Sequence, residues 1–217
     1  MTELTVDCDL RTLFGPARDQ GCRPTCAAFA ASDAHAAVRP GWEALSCEYI
    51  YYHAVRRDGV GPEDGATLGA VLAAVEIDGQ PREEGWPYLD AMPDKLCQWR
   101  PPAEVGELFR HRASPATPAI DAVKAALDAG SLAIVGMTLS DAFYKPDVEG
   151  IVEADEPEDP ARRHAVIAVG RGHRGNRGLI LVRNSWGEEW GLNGCAWLSE
   201  SYLAPRLRGV AVMKEAA

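Results

Sequence analysis

The 217-residue chain lacks features that mark several common classes of protein. No uninterrupted apolar run approaches the roughly 18 residues that a membrane helix needs, so we predict no membrane span. The N-terminal residues Met-Thr-Glu-Leu-Thr-Val-Asp contain neither the basic head nor the apolar core of a secretory signal. These two absences predict a cytoplasmic protein, and no internal repeat or low-complexity tract suggests a fibrous or disordered one.

Positive charge is scarce as well. The 22 Lys and Arg residues are outnumbered by 32 Asp and Glu residues, which gives a net charge of −10. The sequence also has no basic stripe with interleaved aromatic residues, so we predict no nucleic-acid partner. Hydrophobic residues at 47% and charged residues at 25% are ordinary for a globular protein with a sizeable core.

The six cysteines do not form a metal-binding pattern. The sequence contains no Cys-x-x-Cys, and the pair Cys22 and Cys26 has no further Cys or His at the spacing of a zinc site. In a secreted protein six cysteines allow 15 disulfide connectivities. Without an export signal we interpret them as free thiols, and we predict neither a metal nor a cofactor.

Hydrophobic periodicity divides the chain into a helical half and a strand-rich half. Thr25, Ser46 and Thr67 are predicted to cap three helices, and Gly79 and Gly130 are typical stops. An acidic, proline-containing loop is predicted from 149 to 160. The predicted helices run from 26 to about 38, 47 to 57, 68 to 78 and 119 to 129, and the predicted strands cover 132–139, 164–169, 179–182, 195–198 and 210–213.

Cys26 is the candidate nucleophile, because it opens the first predicted helix. A helix N-terminus carries unpaired N–H groups and a partial positive charge, which favour a thiolate over a thiol. His164 heads an apolar run in the second half and Asn184 follows it, so a proton acceptor and an amide that orients it are both present. A single cysteine at a helix start is more often a small core residue, and only the combination with Gln20, His164 and Asn184 favours catalysis. The remaining histidines, His35, His53, His111 and His173, are predicted to be surface or helix-face residues.

Several blocks, in order along the chain, resemble papain-like cysteine peptidases. His164 and Asn184 follow Cys26 by 138 and 158 residues, close to the family spacing of about 130–150. The resemblance covers about residues 9 to 213 and departs from the family pattern at Arg23-Pro24-Thr25, where cysteine-glycine-serine is usual, and at Ala27, where an aromatic residue is usual. The matching blocks are Asp9-Leu-Arg11, Arg18-Asp-Gln20-Gly, Cys26-Ala-Ala-Phe29-Ala, Leu45-Ser46 with Tyr49, Asp64-Gly65-Ala-Thr-Leu68, Trp86-Pro-Tyr88, His164-Ala-Val and Asn184-Ser-Trp186-Gly.

The resemblance implies an α+β, papain-like fold in one domain over residues 1–217. A helical part (about 18–110) would pack against an antiparallel β-rich part (about 111–213), with the N-terminal segment joining them and the active site in the cleft between. The implied activity is a thiol endopeptidase that uses a Cys26/His164 thiolate–imidazolium pair and an acyl-enzyme.

The resemblance implies that Asn184 orients the imidazole, that Trp186 screens this hydrogen bond from water, and that Gln20 binds the oxyanion. Gly65, Ala66 and Trp186 are predicted to bind substrate. Arg163 is predicted to do so because it adjoins His164, where it would favour acidic side chains. No cofactor is implied, and the expected partner is a peptide or protein substrate. Acyl transfer or deamidation at the same site, or a non-catalytic binding module, are the alternatives. Because the matching blocks begin near Met1, we also expect an enzyme without a propeptide, controlled by a regulatory partner, by its location or by narrow specificity. The high alanine content, together with the missing signal and propeptide, suggests a bacterial protein. The sequence does not predict the oligomeric state.

Overall fold

The computed structural model describes residues 3–153 and 157–214. Three helices build the first half, as predicted: α1 (Cys26–Ala37), α2 (Cys47–Asp58) and α3 (Leu68–Ala73), which continues into the π-helical turn Ala74–Asp78. Two of the predicted caps are confirmed, because Ser46 Oγ accepts the Tyr49 N–H at 3.1 Å and Thr67 Oγ1 accepts the Ala70 N–H at 3.2 Å. Gly79 ends the third helix with a φ of 82°.

The predicted cap of the first helix is wrong. Thr25 precedes α1, but its side chain caps no N–H of the helix. The hydroxyl instead lies 2.9 Å from the Tyr88 hydroxyl and so joins the approach to Cys26 to a distant loop. Helix α1 is stabilised by burial, since every residue from Ala27 to Ala37 is buried.

Two polar residues of α1, His35 and Asp33, are buried, and for His35 this contradicts the predicted surface position. His35 is 1% exposed and hydrogen-bonds through Nδ1 to Gln80 Oε1 at 3.0 Å. Asp33 lies between two arginines, 3.4 Å from the Arg18 Nη1 and 3.3 Å from the Arg183 Nε. Because a buried charge is stable only when it is paired, these partners allow α1 to lie inside the protein.

The second half forms a sheet, which has eight strands within the described residues. The strands are β1 (Leu4–Asp9), β2 (Ser114–Ala116), β3 (Leu132–Leu139), β4 (Ile151–Val152), β5 (Asp159–Arg174), β6 (Arg177–Arg183), β7 (Cys195–Ser199) and β8 (Leu207–Met213). The central strands are antiparallel, whereas β4 pairs in parallel with β7. The main order is β2-β8-β3-β5-β6-β7-β4, and β1 pairs with β5 at its side.

Both faces of this sheet are buried, which explains why its strands read as apolar runs rather than as alternating patterns. Leu132 and Ile134 face the helical half, while Ala133 and Val135 belong to a second core on the opposite face. That second core is covered by α4 (Ile120–Asp128), α5 (Asp141–Tyr144) and α6 (Glu200–Leu203). The molecule is therefore α+β, as predicted, with α1 packed against β5 and β3.

Two stretches differ from their predictions. Strand β5 is much longer than the predicted 164–169, because β3 and β1 supply hydrogen-bonding partners on both sides of the apolar centre. The predicted loop 149–160 contains β4, which pairs with β7, and part of it, 154–156, lies outside the described residues. No helix in the described ranges is both long and apolar enough to cross a bilayer.

Candidate active site

Cys26 and His164 face the same cleft between the helical half and the sheet. Cys26 is the first residue of α1 and is half-buried, whereas His164 lies in β5 and is 6% exposed. Ala165, the residue after His164, lines the same cleft as Cys26, so the start of α1 and this part of β5 lie next to each other there. The cleft has a volume of about 560 Å³.

The Asn184 side chain determines which nitrogen of His164 carries a proton. Asn184 Oδ1 accepts the backbone N–H of Ser185 at 2.8 Å, and this donor-only partner identifies that atom as the oxygen. His164 Nε2 lies 2.7 Å from the same oxygen and must therefore donate to it. In the neutral imidazole the other nitrogen, Nδ1, is then the proton acceptor.

Aromatic rings surround the His164–Asn184 hydrogen bond. The centroid of the Trp186 ring lies 4.7 Å from the centroid of the His164 ring, and that of the Phe143 ring lies 5.7 Å from it. Trp186 packs on the imidazole, the contact that its predicted screening role requires, but it is not among the side chains that line the cleft, where it was also predicted to bind substrate. Such apolar cover lowers the local dielectric constant and strengthens the hydrogen bond that holds the ring.

Burial shifts the pKa values of both groups toward their neutral forms. It raises the pKa of the Cys26 thiol, against the opposing effect of the N–H groups of Ala165, Ala27 and Cys26 itself. It lowers the pKa of the His164 imidazole to about 4, against the opposing effect of the hydrogen bond to Asn184. An ion pair at this site must therefore draw its stability from the mutual attraction of thiolate and imidazolium and from the N–H groups at the start of α1.

Gln20 lies beside the segment that leads to Cys26 rather than among the side chains that line the cleft. Its residue exposure is 7%, and its amide is fixed at both ends: Nε2 donates to the Arg23 carbonyl at 2.8 Å and Oε1 accepts from Ser185 Oγ at 2.7 Å. A primary amide has two N–H groups. Among the described residues, the Arg23 carbonyl takes one of them.

Three predicted substrate-binding residues do line the cleft: Gly65, Ala66 and Arg163. Gly65 has a φ of 83°, and a Cβ placed there would lie 3.3 Å from the Pro24 carbonyl oxygen, so both conformation and space favour glycine. Arg163 is exposed and has no ion-pair partner among the described residues. Gly65, Ala66 and Arg163 thus lie where a bound substrate could contact them, whereas Trp186 lies against the imidazole.

The side of the cleft that the sheet forms was largely not predicted from the sequence. Gly136 of β3 and Gly209 of β8 are paired in register, so side-chain-free positions from two strands lie together in the cleft. The pairing of distant strands creates this feature, and neither glycine carries a local signal for it. Other lining residues that were not predicted include Asp58, Met137 and Arg208.

A sequence model of the papain family of cysteine proteases matches residues 4–203. The chain belongs to this family. Among similar proteins, an uncharacterized peptidase C1-like protein of Acanthamoeba polyphaga mimivirus is 28% identical over 172 residues, which cover 72% of this chain and 53% of that protein. Cathepsin K of Gallus gallus is 27% identical over 203 residues, covering 90% of this chain and 58% of cathepsin K. The chain thus spans about half the length of these papain-family relatives.

Solved structures of papain-family proteases share the fold. Xylellain, a cysteine protease from Xylella fastidiosa, superposes with a TM-score of 0.77 at 21% identity, over 97% of this chain and 86% of that one. A Carica candamarcensis cysteine protease solved in complex with E-64 superposes with a TM-score of 0.72 at 19% identity, over 96% of this chain and 98% of that one. The predicted papain-like fold is confirmed.

Proposed function

We propose that the chain is a thiol-dependent endopeptidase that cleaves peptide bonds through an acyl-enzyme. One observation carries the proposal: Asn184 holds the His164 ring by Nε2, which leaves Nδ1 as a proton acceptor in the cleft that Cys26 also lines. A sulfur nucleophile, a base and a group that orients the base are the parts that nucleophilic acyl transfer needs.

Acylation follows from these positions. The Cys26 thiol transfers its proton to Nδ1 of His164, and the sulfur attacks the carbonyl carbon of the scissile peptide bond. The electron pair of the carbonyl moves to its oxygen and returns as the C–N bond breaks. The leaving amine takes the proton from Nδ1, which leaves a thioester on Cys26 and a neutral imidazole.

Deacylation reverses the roles of the same groups. His164 Nδ1 takes a proton from water, the resulting hydroxide attacks the thioester carbonyl, and the sulfur leaves and regains its proton. The backbone N–H of Cys26 and the second N–H of the Gln20 amide would stabilise the oxyanion in both steps. Removal of one such donor typically lowers kcat about 10²–10³-fold.

The cleft suits an extended peptide or protein substrate. The helical wall carries Asp58 and Asp64, whose carboxylates accept hydrogen bonds from their own loop, whereas Arg163 on the opposite wall has no partner among the described residues. A free guanidinium in a binding cleft favours a carboxylate side chain in the substrate. We therefore propose a preference for acidic residues near the cleaved bond.

The proposal extends to the setting of the enzyme. One domain, with a helical part near 18–110 and a β-rich part near 111–213, would act in a bacterial cytoplasm, where the six free cysteines stay reduced. A regulatory protein partner that controls access to the cleft is part of the same proposal.

The test is hydrolysis of a denatured protein and of a mixed peptide library in H₂¹⁸O, followed by mass spectrometry. The wild-type chain should create new C-termini that carry one ¹⁸O atom, and Cys26→Ala should create none. Products joined to an added amine, or glutamine converted to glutamate, would favour acyl transfer or deamidation. The absence of any covalent product, together with no labelling of Cys26 by E-64, would favour a binding module and contradict the proposal.

A further inference from the structure

A buried ion pair holds the segment that leads from Gln20 to Cys26. Arg23 is 6% exposed and Glu48, on α2, is fully buried. The Arg23 guanidinium donates Nη1 to Glu48 Oε2 at 2.6 Å and Nη2 to Glu48 Oε1 at 2.9 Å. This two-point contact fixes the orientation of the guanidinium as well as its position.

The Glu48 carboxylate is satisfied by further donors from a third part of the chain. Oε1 accepts the Trp99 indole N–H at 2.5 Å, and Oε2 accepts the backbone N–H of Leu89 at 3.0 Å. Arg23 Nη1 also donates to the Leu89 carbonyl at 2.6 Å. The approach to Cys26, helix α2 and the 86–99 loop are therefore tied together at one point.

The backbone of Arg23 transmits this constraint to Gln20. The Arg23 carbonyl accepts the Gln20 Nε2 at 2.8 Å and the Thr25 N–H at 2.8 Å. The Tyr88 hydroxyl, on the same loop, donates to the Gln20 carbonyl at 2.8 Å. A shift of Arg23 would thus move the acceptor that orients one N–H of the Gln20 amide, and with it the direction of the other.

We propose that the Arg23–Glu48 ion pair positions the Gln20 amide for oxyanion binding, with Arg23 and Glu48 as positioning residues that do not touch the substrate. The proposal rests on the proposed peptidase function. Its basis is geometric, because the charges of the two side chains neutralise each other and the contact to Gln20 runs through the Arg23 carbonyl. An oxyanion donor misplaced by about 1 Å can lower the rate of the chemical step about 100-fold.

The informative variant removes both charges. Loss of one partner would leave an unpaired buried charge and destabilise the fold, whereas replacing both with neutral side chains of similar size is often tolerated. In Arg23→Met/Glu48→Gln, the glutamine oxygen can still accept the Trp99 indole N–H while the two-point contact to residue 23 is lost. Leu127→Ala, in the core behind the sheet, is the matched control for a general loss of stability.

The experiment compares peptide hydrolysis with alkylation of Cys26 by iodoacetamide. Alkylation displaces iodide and forms no oxyanion, so it reports only the thiolate. We expect the double variant to lower kcat and kcat/KM about 10–100-fold with KM unchanged, and to leave the alkylation rate and its pH profile within about twofold of wild type. Leu127→Ala should change neither rate at a temperature where it remains folded.

A cycle with Gln20→Ala decides whether the effect passes through Gln20. In the Gln20→Ala background the double variant should cause little further loss of kcat. Losses that multiply, an equal fall in alkylation, or an unchanged kcat in the folded double variant would each overturn the proposal. Failure of the underlying peptidase function is distinguishable, because the wild-type chain would then hydrolyse no peptide at all.

Discussion

Asn184 is the residue whose bonds define the chemistry of the His164 ring. With Oδ1 committed to the Ser185 N–H, Nε2 of His164 donates and Nδ1 accepts. We expect Asn184→Ala to lower kcat about 10–100-fold, since a hydrogen bond to a group that becomes charged contributes about 1.5–3 kcal/mol. Asn176→Ala, in the exposed turn between β5 and β6, is the matched control. Steady-state hydrolysis checks this, and activity within twofold of wild type would contradict it.

Arg163 provides a test of the proposed preference for acidic substrates. We expect Arg163→Ala to reduce the ratio of kcat/KM for Glu- over Gln-containing peptides about two- to fivefold, because an exposed ion pair contributes about 0.2–1 kcal/mol. Arg162→Ala is the control, since this neighbour pairs with Asp141 and Asp159 and does not line the cleft. An unchanged ratio in Arg163→Ala, measured with paired peptides at low salt, would refute the preference.

The proximity of Cys26, His164 and Asn184 was predictable because each lies within a block of characteristic neighbours. The buried Arg23–Glu48 pair was not predictable, because Arg and Glu are usually exposed and nothing in the adjacent sequence indicates that these two are buried. His35 was misjudged for the same reason. Its burial depends on Gln80, which lies 45 residues away in the sequence.

At the scale of secondary structure, the side-chain cap of α2 predicts a measurable contribution to stability. Ser46 Oγ accepts the Tyr49 N–H and donates to the Trp86 carbonyl at 2.6 Å, so Ser46→Ala should lower the free energy of unfolding by about 1–2 kcal/mol. Exposed Ser114→Ala, in β2, should change it by less than about 0.5 kcal/mol. Urea denaturation checks both values, and equal stabilities for the two variants would show that the Ser46 bonds contribute nothing.

Element boundaries were predictable where local chemistry sets them and not where pairing does. The Leu132–Leu139 strand has the bounds expected from its apolar run between Gly130 and Asp141. Strand β5 extends beyond its apolar centre because β1 approaches closely at Gly170, where a Cβ would lie 2.5 Å from the Cys8 carbonyl oxygen. Such an extension depends on a partner strand and leaves only a glycine as a local signal.

At the scale of the whole molecule, a buried histidine predicts how stability depends on pH. Burial lowers the pKa of His35 to about 4, below the usual 6.5, so the unfolded chain binds a proton there more readily than the folded chain. The contribution of the neutral His35 to the free energy of unfolding is fully present above about pH 6.5, and it is lost as the pH falls toward 4. We expect His35 to account for about 2 kcal/mol of lost stability between pH 7 and pH 5.

Urea unfolding of wild type and His35→Gln at pH 7 and pH 5 measures this contribution. The variant is less stable at pH 7 but should lose about 2 kcal/mol less than wild type on acidification. Parallel losses in the two proteins would mean that the pKa of His35 is the same in the folded and unfolded chains and would contradict the prediction.

The central claim is that Cys26 and His164 share one proton across the cleft. Iodoacetamide labelling of each cysteine at pH 6, followed by mass spectrometry, tests it most directly, because less than about 1% of an ordinary thiol is ionised there. Exposed Cys97 is the internal control. The account predicts that Cys26 reacts at least about 100-fold faster than Cys97 and that His164→Ala removes this difference. Equal rates for the two cysteines in the wild-type chain, or fast labelling of Cys26 that survives His164→Ala, would contradict it.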